Sequence, residues 1–384
     1  QMSDKGPGSK TGDAPNPDAH WDKSYKTNLG FDMRFLNSRL SVNLDAYLDK
    51  NRDMFMNRTG ASNFPSTVGT QPTAENFGAI DAWGVELSLG WRDNIGKDFK
   101  YKIGLNTGYT DNKVLLMDWA TDYLFRSIQE GDRTDQGTWG MQCLGMFRSF
   151  QEIDEYFAKY NITSYMGMSK DEVRPGMLIY KDVRGPLQED GTYAGPDGIV
   201  DKDNDQVELS HRGNPYGVTA NLSADWKGFS ISAQLGASWG GYSIVPTSAL
   251  KAEGDLEYSN MPSFWNVDNM YSYQDVYDAS GNLVVAENRD AKYPNLAYSS
   301  VNSVASTFWR ISSTRISLNR LTLAYALPSS VTKMLGIQSC RFNVTGQNLL
   351  SLYNPYPDNF MDPMSSFDSY PSLRKFTVGI NISF

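Results

Sequence analysis

Residues 375–384 read Lys-Phe-Thr-Val-Gly-Ile-Asn-Ile-Ser-Phe. Apolar residues occupy every second position from Phe376 onward, and the aromatic residue Phe384 lies on the apolar side. Successive side chains of a β-strand point to opposite faces, so the alternation predicts a strand with one apolar face and one polar face. In a membrane β-barrel the apolar face of such a strand meets lipid. The last strand of a soluble sandwich shows the same alternation. The apolar members are Phe376, Val378, Ile380, Ile382 and Phe384.

The same alternation recurs along the chain. One segment places on its apolar face Trp83, Val85, Leu87, Leu89 and Trp91, and another places there Phe229, Ile231, Ala233, Leu235, Ala237 and Trp239. Their polar faces carry mainly Ser, Gln and Gly, whereas the solvent face of a sandwich is usually rich in Lys and Glu. Aromatic residues at both ends of an apolar row match the two girdles of a membrane barrel. We therefore favour the barrel.

Composition agrees with this fold class without deciding it. The chain has 384 residues, a formal charge of −9 and a pI near 4.9. The acidic balance disfavours nucleic acid as a partner. No apolar run approaches the length of a membrane-spanning helix, and a barrel strand needs only half of its residues to be apolar. Cys143 and Cys340 fall in different contexts, so we expect two free thiols.

Period-two runs between turn signals predict nine strands, near residues 22–35, 38–50, 81–92, 98–112, 213–225, 229–241, 307–327, 339–350 and 372–384. Short connections alternate with long ones, which lie near residues 51–80, 113–212, 242–306 and 351–371. Outer-membrane barrels alternate short periplasmic turns with long extracellular loops in this way. Single-chain bacterial barrels have an even number of strands, so nine strands predict the C-terminal part of a larger barrel.

The long loops hold further candidate elements. We expect helices around 117–130 and 146–160, the second with an apolar stripe at helical spacing that favours local packing. The loop at 242–306 is rich in aromatic residues, which either stack on a ligand or pack the loop itself. The candidate ligand contacts are Tyr258, Trp265, Tyr271, Tyr273 and Tyr277.

Several motifs resemble those of the TonB-dependent outer-membrane transporters of the SusC/RagA type. They are Asn-Pro-Asp-Ala-His-Trp-Asp-Lys at 16–23, Asn-Ser-Arg-Leu-Ser at 37–41, Gly-Val-Glu-Leu-Ser-Leu at 84–89, Leu-Thr-Leu-Ala-Tyr-Ala-Leu-Pro at 321–328 and Val-Thr-Gly-Gln-Asn-Leu at 344–349. The resemblance covers nearly the whole chain. The motifs at 321–328 and 344–349 together are the most specific.

This resemblance implies a barrel of about 22 strands with a plugged lumen. It also implies an importer of an oligosaccharide or peptide, energised by the TonB complex and capped by a SusD-like lipoprotein. Residues 1–384 would then form one barrel portion in outer-membrane lipid, and neither the plug nor the TonB-contacting segment is expected within them. The terminal aromatic residue would be read by the barrel-assembly machinery.

The resemblance further points to a calcium loop. Family members often carry an acidic run, and here Tyr-Lys-Asp-Val-Arg at 180–184 begins it and Asp-Gly-Ile-Val-Asp at 197–201 completes it. Carboxylates near a glycine turn are the ligand type that Ca²⁺ prefers. The candidate ligands are Asp182, Asp197, Asp201 and Asp205. A solvated acidic turn is an equal alternative.

Other functional classes have weaker support. The runner-up is a secreted β-sandwich that binds carbohydrate without transport. A surface glycosidase would need a carboxylate pair, such as Glu152 with Asp154 or Glu253 with Asp255. Among 44 acidic residues such pairs are expected by chance. With two histidines, far apart, neither a zinc cluster nor a histidine-based triad is indicated. We therefore expect no catalysis.

Overall fold

The computed structural model describes residues 16–57, 74–118, 124–135, 137–250, 262–363, 365, 370 and 372–384. The strands within these ranges are β1 (Lys23–Phe35), β2 (Leu40–Met56), β3 (Glu75–Ile95), β4 (Phe99–Leu116), β5 (Thr138–Met141), β6 (Cys143–Met146), β7 (Ser164–Tyr165), β8 (Leu178–Tyr180), β9 (Ile199–Val200), β10 (Gln206–Ser210), β11 (Tyr216–Trp226), β12 (Phe229–Trp239), β13 (Tyr242–Ile244), β14 (Val276–Tyr277), β15 (Leu283–Val285), β16 (Arg310–Ser312), β17 (Arg315–Ala326), β18 (Ser339–Tyr353) and β19 (Lys375–Ser383). The α-helices are α1 (Phe150–Tyr160), α2 (Ser299–Asn302) and α3 (Ser329–Met334). Short 3-10 turns lie at Leu124–Arg126, Lys170–Glu172, Thr247–Leu250, Leu296–Tyr298 and Pro357–Asn359.

Nine strands form one antiparallel sheet in the order β1-β2-β3-β4-β11-β12-β17-β18-β19. All nine predicted strands are therefore confirmed. The other sheets among the described residues are two-stranded. In the described part of the chain, no helix combines the length and the apolar character needed to cross a membrane.

The chain divides into two compact units. The first is Gln1–Met33, Val42–Leu87 and Gly108–Gln136, and the second is Arg34–Ser41, Ser88–Thr107 and Gly137–Phe384. In the first unit, the aromatic ring of Tyr47 lies over Gly84, where a Cβ atom would come within 2.5 Å of the tyrosine hydroxyl oxygen. That hydroxyl donates a hydrogen bond to Thr110 Oγ1 at 2.8 Å. Gly84 thus makes room for a polar contact on the face opposite Trp83 and Val85.

In the second unit, strand register collects side chains of one kind into rows across the sheet. One face carries the row Ala224, Ile231, Leu323, Val344 and Val378. The opposite face carries the adjacent row Ser223, Ser232, Thr322, Thr345 and Thr377. Because a one-residue slip would exchange the two faces, the alternation itself fixes this register. We call them the outer face and the inner face.

Aromatic residues bound the outer face at both ends. At the short-turn end they are Trp226, Phe229, Tyr325 and Phe342, which follow one another across four strands. At the long-loop end Tyr216 pairs with Trp239. From Trp226 to Tyr216 a strand rises about 33 Å, which a tilt of about 40° converts to about 25 Å of membrane depth. This spacing equals the height of the apolar band of an outer-membrane barrel.

The short turn between β11 and β12 has the backbone geometry that a tight hairpin needs. Trp226 pairs with Phe229, so only Lys227 and Gly228 form the turn, and both have positive φ (45° and 89°). Two central residues with positive φ define the type I′ turn, whose twist matches that of the paired strands.

Several predicted boundaries were wrong by a few residues. β2 continues to Met56 and β3 begins at Glu75, so both strands extend into the predicted loop at 51–80. β17 begins only at Arg315, since residues 307–314 belong to the loop structure. The helix predicted at 117–130 is reduced, within the described residues, to the turn Leu124–Arg126. The chain just after the predicted helix pairs with β4 instead, because Gly131 N donates a hydrogen bond to Val114 O at 2.8 Å.

The two longest connections fold together over one set of buried side chains. These include Met141, Phe147, Tyr165, Tyr180, Phe264, Tyr271, Tyr293 and Trp309. We call this set the loop core. It belongs to the second unit and gives the long loops a hydrophobic centre of their own.

Both cysteines are free, as predicted. Cys340 is buried in β18, and Cys143 is partly buried at the start of β6. Burial raises the pKa of the Cys143 thiol to about 11, so it remains protonated at neutral pH.

Candidate functional site

Helix α1 lies within the first long loop. It begins at Phe150, because the side chain of Ser149 accepts a hydrogen bond from Glu152 N at 3.2 Å and caps the helix. The predicted stripe is partly correct. Met146, Phe147, Ile153 and Phe157 are buried, whereas Phe150 and Tyr160 are exposed. Tyr156, outside that stripe, is buried instead and donates to Tyr180 O at 2.5 Å.

Asn302 joins the two long loops. Its side-chain Oδ1 accepts a hydrogen bond from Leu178 N at 2.8 Å, and its Nδ2 donates to Gly176 O at 2.9 Å and Asn295 O at 2.8 Å. The side chain is buried. Leaving a buried polar group without its partner costs about 1–3 kcal/mol, so this residue favours one fixed arrangement of the loops.

The candidate aromatic contacts fall into two groups. Trp265 and Tyr271 are buried, Trp265 donating to Ala249 O at 2.8 Å and Tyr271 to Arg148 O at 2.6 Å. Both side chains pack the loop core, and the ligand contact expected of them stays a prediction. Tyr258 lies outside the described residues.

Tyr273 and Tyr277 lie nearer the surface. The Tyr273 ring contacts Phe150 edge-on at 5.4 Å between centroids and carries the Arg289 guanidinium 4.2 Å above it. Tyr277 is 58% exposed on the hairpin formed by β14 and β15. Of the predicted contacts that the structure describes, Tyr277 is the one most open to a ligand.

The acidic loop brings the candidate calcium ligands into one folded segment. Asp205 is buried, and its Oδ1 accepts hydrogen bonds from Val183 N at 2.6 Å and Arg184 N at 3.1 Å, while its Oδ2 accepts from Asp201 N at 2.9 Å. Asp197 Oδ1 accepts from Ile199 N at 2.9 Å. These carboxylates hold the backbone of the loop.

Asp182 differs from its neighbours. Its Oδ2 accepts a hydrogen bond from Gly198 N at 2.7 Å, but its Oδ1 is buried without a hydrogen-bond partner among the described residues. Gly198 is required there, since its φ is 81° and a Cβ atom would lie 2.6 Å from Asn161 O. Burial raises the pKa of the Asp182 carboxyl, and the same cause raises that of Asp205.

In the described ranges, no group of three or more His, Cys, Asp and Glu side chains is arranged to hold a metal ion.

The raised pKa values of Asp182 and Asp205 make the stability of the acidic loop depend on pH. A carboxyl that binds its proton more tightly when folded stabilises the folded loop at low pH. This stabilisation is lost as the pH rises from 3.8, the ordinary value, through the raised pKa.

The calcium site stays a prediction, with a direct test. Ca²⁺ coordinated by Asp182 Oδ1 should increase the protease resistance of residues 180–210, because a chelated loop loses flexible backbone states. Asp182→Asn should remove this gain, while Asp190→Asn, an exposed acid whose contacts are to Thr192, should retain it. Equal resistance in calcium and in chelator would leave the carboxylates with a purely structural role.

The carboxylate pairs considered for glycosidase activity have other partners. Glu152 Oε2 accepts a hydrogen bond from Arg148 N at 2.7 Å at the start of α1, and Asp154 forms an ion pair with Lys170 at 2.6 Å. Glu253 and Asp255 lie outside the described residues.

The apolar face predicted for the C-terminal strand is exposed. Among the described strands, β19 pairs with β18 alone and therefore forms one edge of the nine-stranded sheet. The apolar side chains of β19 and the residue that follows it are all exposed: Phe376, Val378, Ile380, Ile382 and Phe384. No contact within this sheet covers them.

The sequence of the chain is similar to those of known proteins, although no family model matches it. It is 23% identical to TonB-dependent receptor P3 of Formosa agariphila over 97% of its own length and 35% of that protein. It is 26% identical to TonB-dependent receptor SusC of Bacteroides thetaiotaomicron over 32% of the chain and 12% of that protein. The chain thus spans about a third of the length of the longer match.

A solved structure, that of the RagAB peptide transporter, has a similar fold. The TM-score is 0.64 at 18% identity, covering 100% of this chain and 38% of that one. The relatives and this neighbour are named as receptors and a transporter, not as enzymes. In sequence over nearly its whole length and in fold, the chain resembles the C-terminal barrel part of the outer-membrane TonB-dependent receptors of the SusC/RagA type.

Proposed function

We propose that the chain is part of an outer-membrane importer that takes up a glycan or a peptide. In this proposal a SusD-type lipoprotein covers the extracellular side, and the TonB complex supplies energy from the periplasmic side. The sheet forms part of the barrel wall, and the long loops face the lipoprotein and the cargo. The resemblance to SusC and to the RagAB peptide transporter supports this assignment.

The observation that carries the proposal is the outer face of the sheet. Ile231, Leu323, Val344 and Val378 are exposed in one row, between two aromatic rows about 25 Å apart. An apolar surface of this width is unfavourable in water and favourable in lipid. A soluble sandwich would instead cover such a face with a second sheet, whereas the other described sheets have two strands each.

The loop core supports a role for the long loops in recognition. Asn302 joins them through its hydrogen bonds to Leu178 N and Gly176 O, so the surface they present is set by a packed interior. Binding residues are commonly carried on loops that a rigid scaffold positions. Exposed Tyr277 and the half-exposed ring of Tyr273 are the described aromatic residues that we assign to that surface.

The import proposal is tested by depletion of a defined mixture of neutral and charged oligosaccharides and peptides from growth medium. We compare the native strain, a strain without this protein and a strain without TonB. The strain without this protein should fail to deplete a subset of the oligomers that the TonB-deficient strain also fails to deplete. The identity of that subset distinguishes glycan from peptide. Normal uptake of the same subset without TonB would contradict the proposal.

The exposed edge of β19 gives a prediction about assembly. Because lipid leaves an open sheet edge without hydrogen-bond partners, barrel closure must pair this strand. Phe384→Asp should therefore lower the amount of full-length protein in the outer membrane without changing its synthesis. Met334→Asp, on the exposed end of α3, is the matched control and should leave that amount unchanged. Equal amounts of all three proteins would contradict a role for the terminal residue.

A further inference from the structure

A groove crosses the outer face of the sheet at its short-turn end. Its volume is about 500 Å³, within the range of about 300–1,000 Å³ that small-molecule sites occupy. The small side chain of Ala224 leaves room in it beside Ile231, with which Ala224 pairs. The aromatic row of this end borders it and consists of Trp226, Phe229, Tyr325 and Phe342. We call it the aromatic groove.

The remaining parts of a barrel leave the aromatic groove facing outward. Its lining comes from β4, β11, β12, β17 and β18, and each of these strands has a paired neighbour on both sides. Further strands of a barrel join beyond the two edges of the sheet, and a plug occupies the lumen, on the inner side. Neither covers the groove. On its surface Trp226 is 52% exposed and Phe229 is 57% exposed.

Two polar groups of the aromatic row have no partner among the described residues. Neither Trp226 Nε1 nor the Tyr325 hydroxyl group forms a hydrogen bond with them. The Tyr325 ring itself packs against Phe229, with 4.4 Å between centroids. Trp and Tyr at a membrane interface place their rings at the level of the lipid headgroups. The indole N–H and the phenol O–H are therefore donors for phosphate or ester oxygens at that level.

The short connections that border the aromatic groove are net basic. They are residues 96–98, 227–228 and 327–338. Three lysines against one aspartate give them a net charge of +2, whereas the whole chain has −9; these residues are Lys97, Lys227, Lys333 and Asp98. Lys227 Nζ lies 5.6 Å from the centre of the Trp226 ring and 3.8 Å from Asp98 Oδ2. Both partners of this long ion pair are more than half exposed, so it is weak and leaves Lys227 able to bind an anion.

We propose that the aromatic groove binds an anionic phospholipid of the periplasmic leaflet. The short turns of an outer-membrane barrel are periplasmic, which fixes the leaflet. An acyl chain lies against Ile231 and Leu323. The phosphate group binds Lys227 Nζ and accepts a hydrogen bond from Trp226 Nε1, and the Tyr325 hydroxyl donates to an ester oxygen.

The charge of the headgroup determines which lipid is preferred. All phospholipids present apolar chains to the groove, so the apolar contact does not discriminate among them. The net positive charge of the bordering connections favours an anionic headgroup over a zwitterionic one. The inference rests on the proposed function only for the membrane position of the sheet, and it requires neither cargo nor lipoprotein nor TonB.

The test reads the fluorescence of Trp226 in the full-length protein in phosphatidylcholine bilayers. Bromine atoms on an acyl chain quench a tryptophan that they contact, so brominated phosphatidylglycerol or brominated phosphatidylcholine is added as a minor component. The difference between the native protein and Trp226→Phe isolates the signal of Trp226. Phosphatidylglycerol should reach half-maximal quenching at a mole fraction at least about fivefold lower, as expected of one lysine beside an anionic lipid. Raising sodium chloride should reduce this preference.

Two pairs of variants separate the charge from the groove. Lys227→Gln should abolish most of the preference, whereas Lys100→Gln, which removes an exposed cation from the inner face of β4, should retain it. Ala224→Phe fills the groove without changing any charge and should also abolish the preference. Its control is Ala233→Phe, the same change on the outer face of β12 but outside the groove. A control that lost the preference as fully as its counterpart would overturn the inference.

Three further outcomes would overturn it. Equal quenching of Trp226 by the two lipids would mean that the groove meets bulk lipid without selecting a headgroup. Quenching of other tryptophans but not of Trp226 would mean that protein, such as a second copy of this chain, covers the groove. Absence of quenching at every tryptophan would also contradict insertion into the membrane, so this last result alone counts against the proposed function.

Discussion

Trp309→Ala should lower the free energy of local unfolding of the loop core by about 3–5 kcal/mol. Trp309 is 2% exposed, and its ring lies 5.7 Å from Trp265, 6.0 Å from Tyr293 and 4.7 Å from Phe308 between centroids. Its Nε1 also donates to Asn302 O at 2.7 Å. Truncation to alanine removes the packing of all these rings and leaves a cavity. Hydrogen exchange of amides in 141–200 and 245–309 measures the change.

The amides of β11 and β12 serve as the internal reference, since the substitution should leave the sheet protected. Tyr277→Ala is the matched control, because it removes an aromatic side chain from the same long loop where that side chain is exposed. It should change protection by no more than about 0.5 kcal/mol. If both variants lost protection equally, or if Trp309→Ala lost none, the loop core would not be what holds the two loops together.

The strands of the large sheet were predictable because each one carries its own evidence. In 229–239 every second residue is apolar, and this period of two follows from strand geometry alone. Boundaries were less certain where the alternation continues into a loop. β2, for example, runs on to Met56, and hydrogen bonds to a neighbouring strand, which the sequence does not record, decide where such a strand ends.

The loop core was not predictable in this way. Asn302 contacts Leu178 and Gly176 across 124 and 126 residues, and no local period indicates such a contact. Trp309 lay inside a predicted strand, so its apolar character was assigned to the sheet. For the acidic loop the sequence predicted which carboxylates are candidate calcium ligands, but it did not predict that backbone N–H groups donate hydrogen bonds to them.

Leu222→Arg should destabilise the folded protein in lipid by about 2–4 kcal/mol. Leu222 lies on the outer face of β11, opposite Ala233 of β12, and is 39% exposed. It is four residues from Trp226 and six from Tyr216, which places it close to the middle of the apolar band. A charge at that depth loses its hydration without gaining a partner, whereas the same charge near either aromatic row reaches the interface. Denaturant unfolding in lipid bilayers measures the cost.

Asn221→Arg is the matched control, because it introduces the same side chain one residue away, on the inner face. Asn221 is exposed and lies beside Gly104, which leaves room for the longer side chain. Its repulsion with other cations of the inner face is screened by salt, so its cost should stay below about 1 kcal/mol. The two substitutions therefore compare the two faces directly. If Leu222→Arg and Asn221→Arg were tolerated equally, the outer face would not meet lipid, and the assignment of this sheet to a barrel wall would fail.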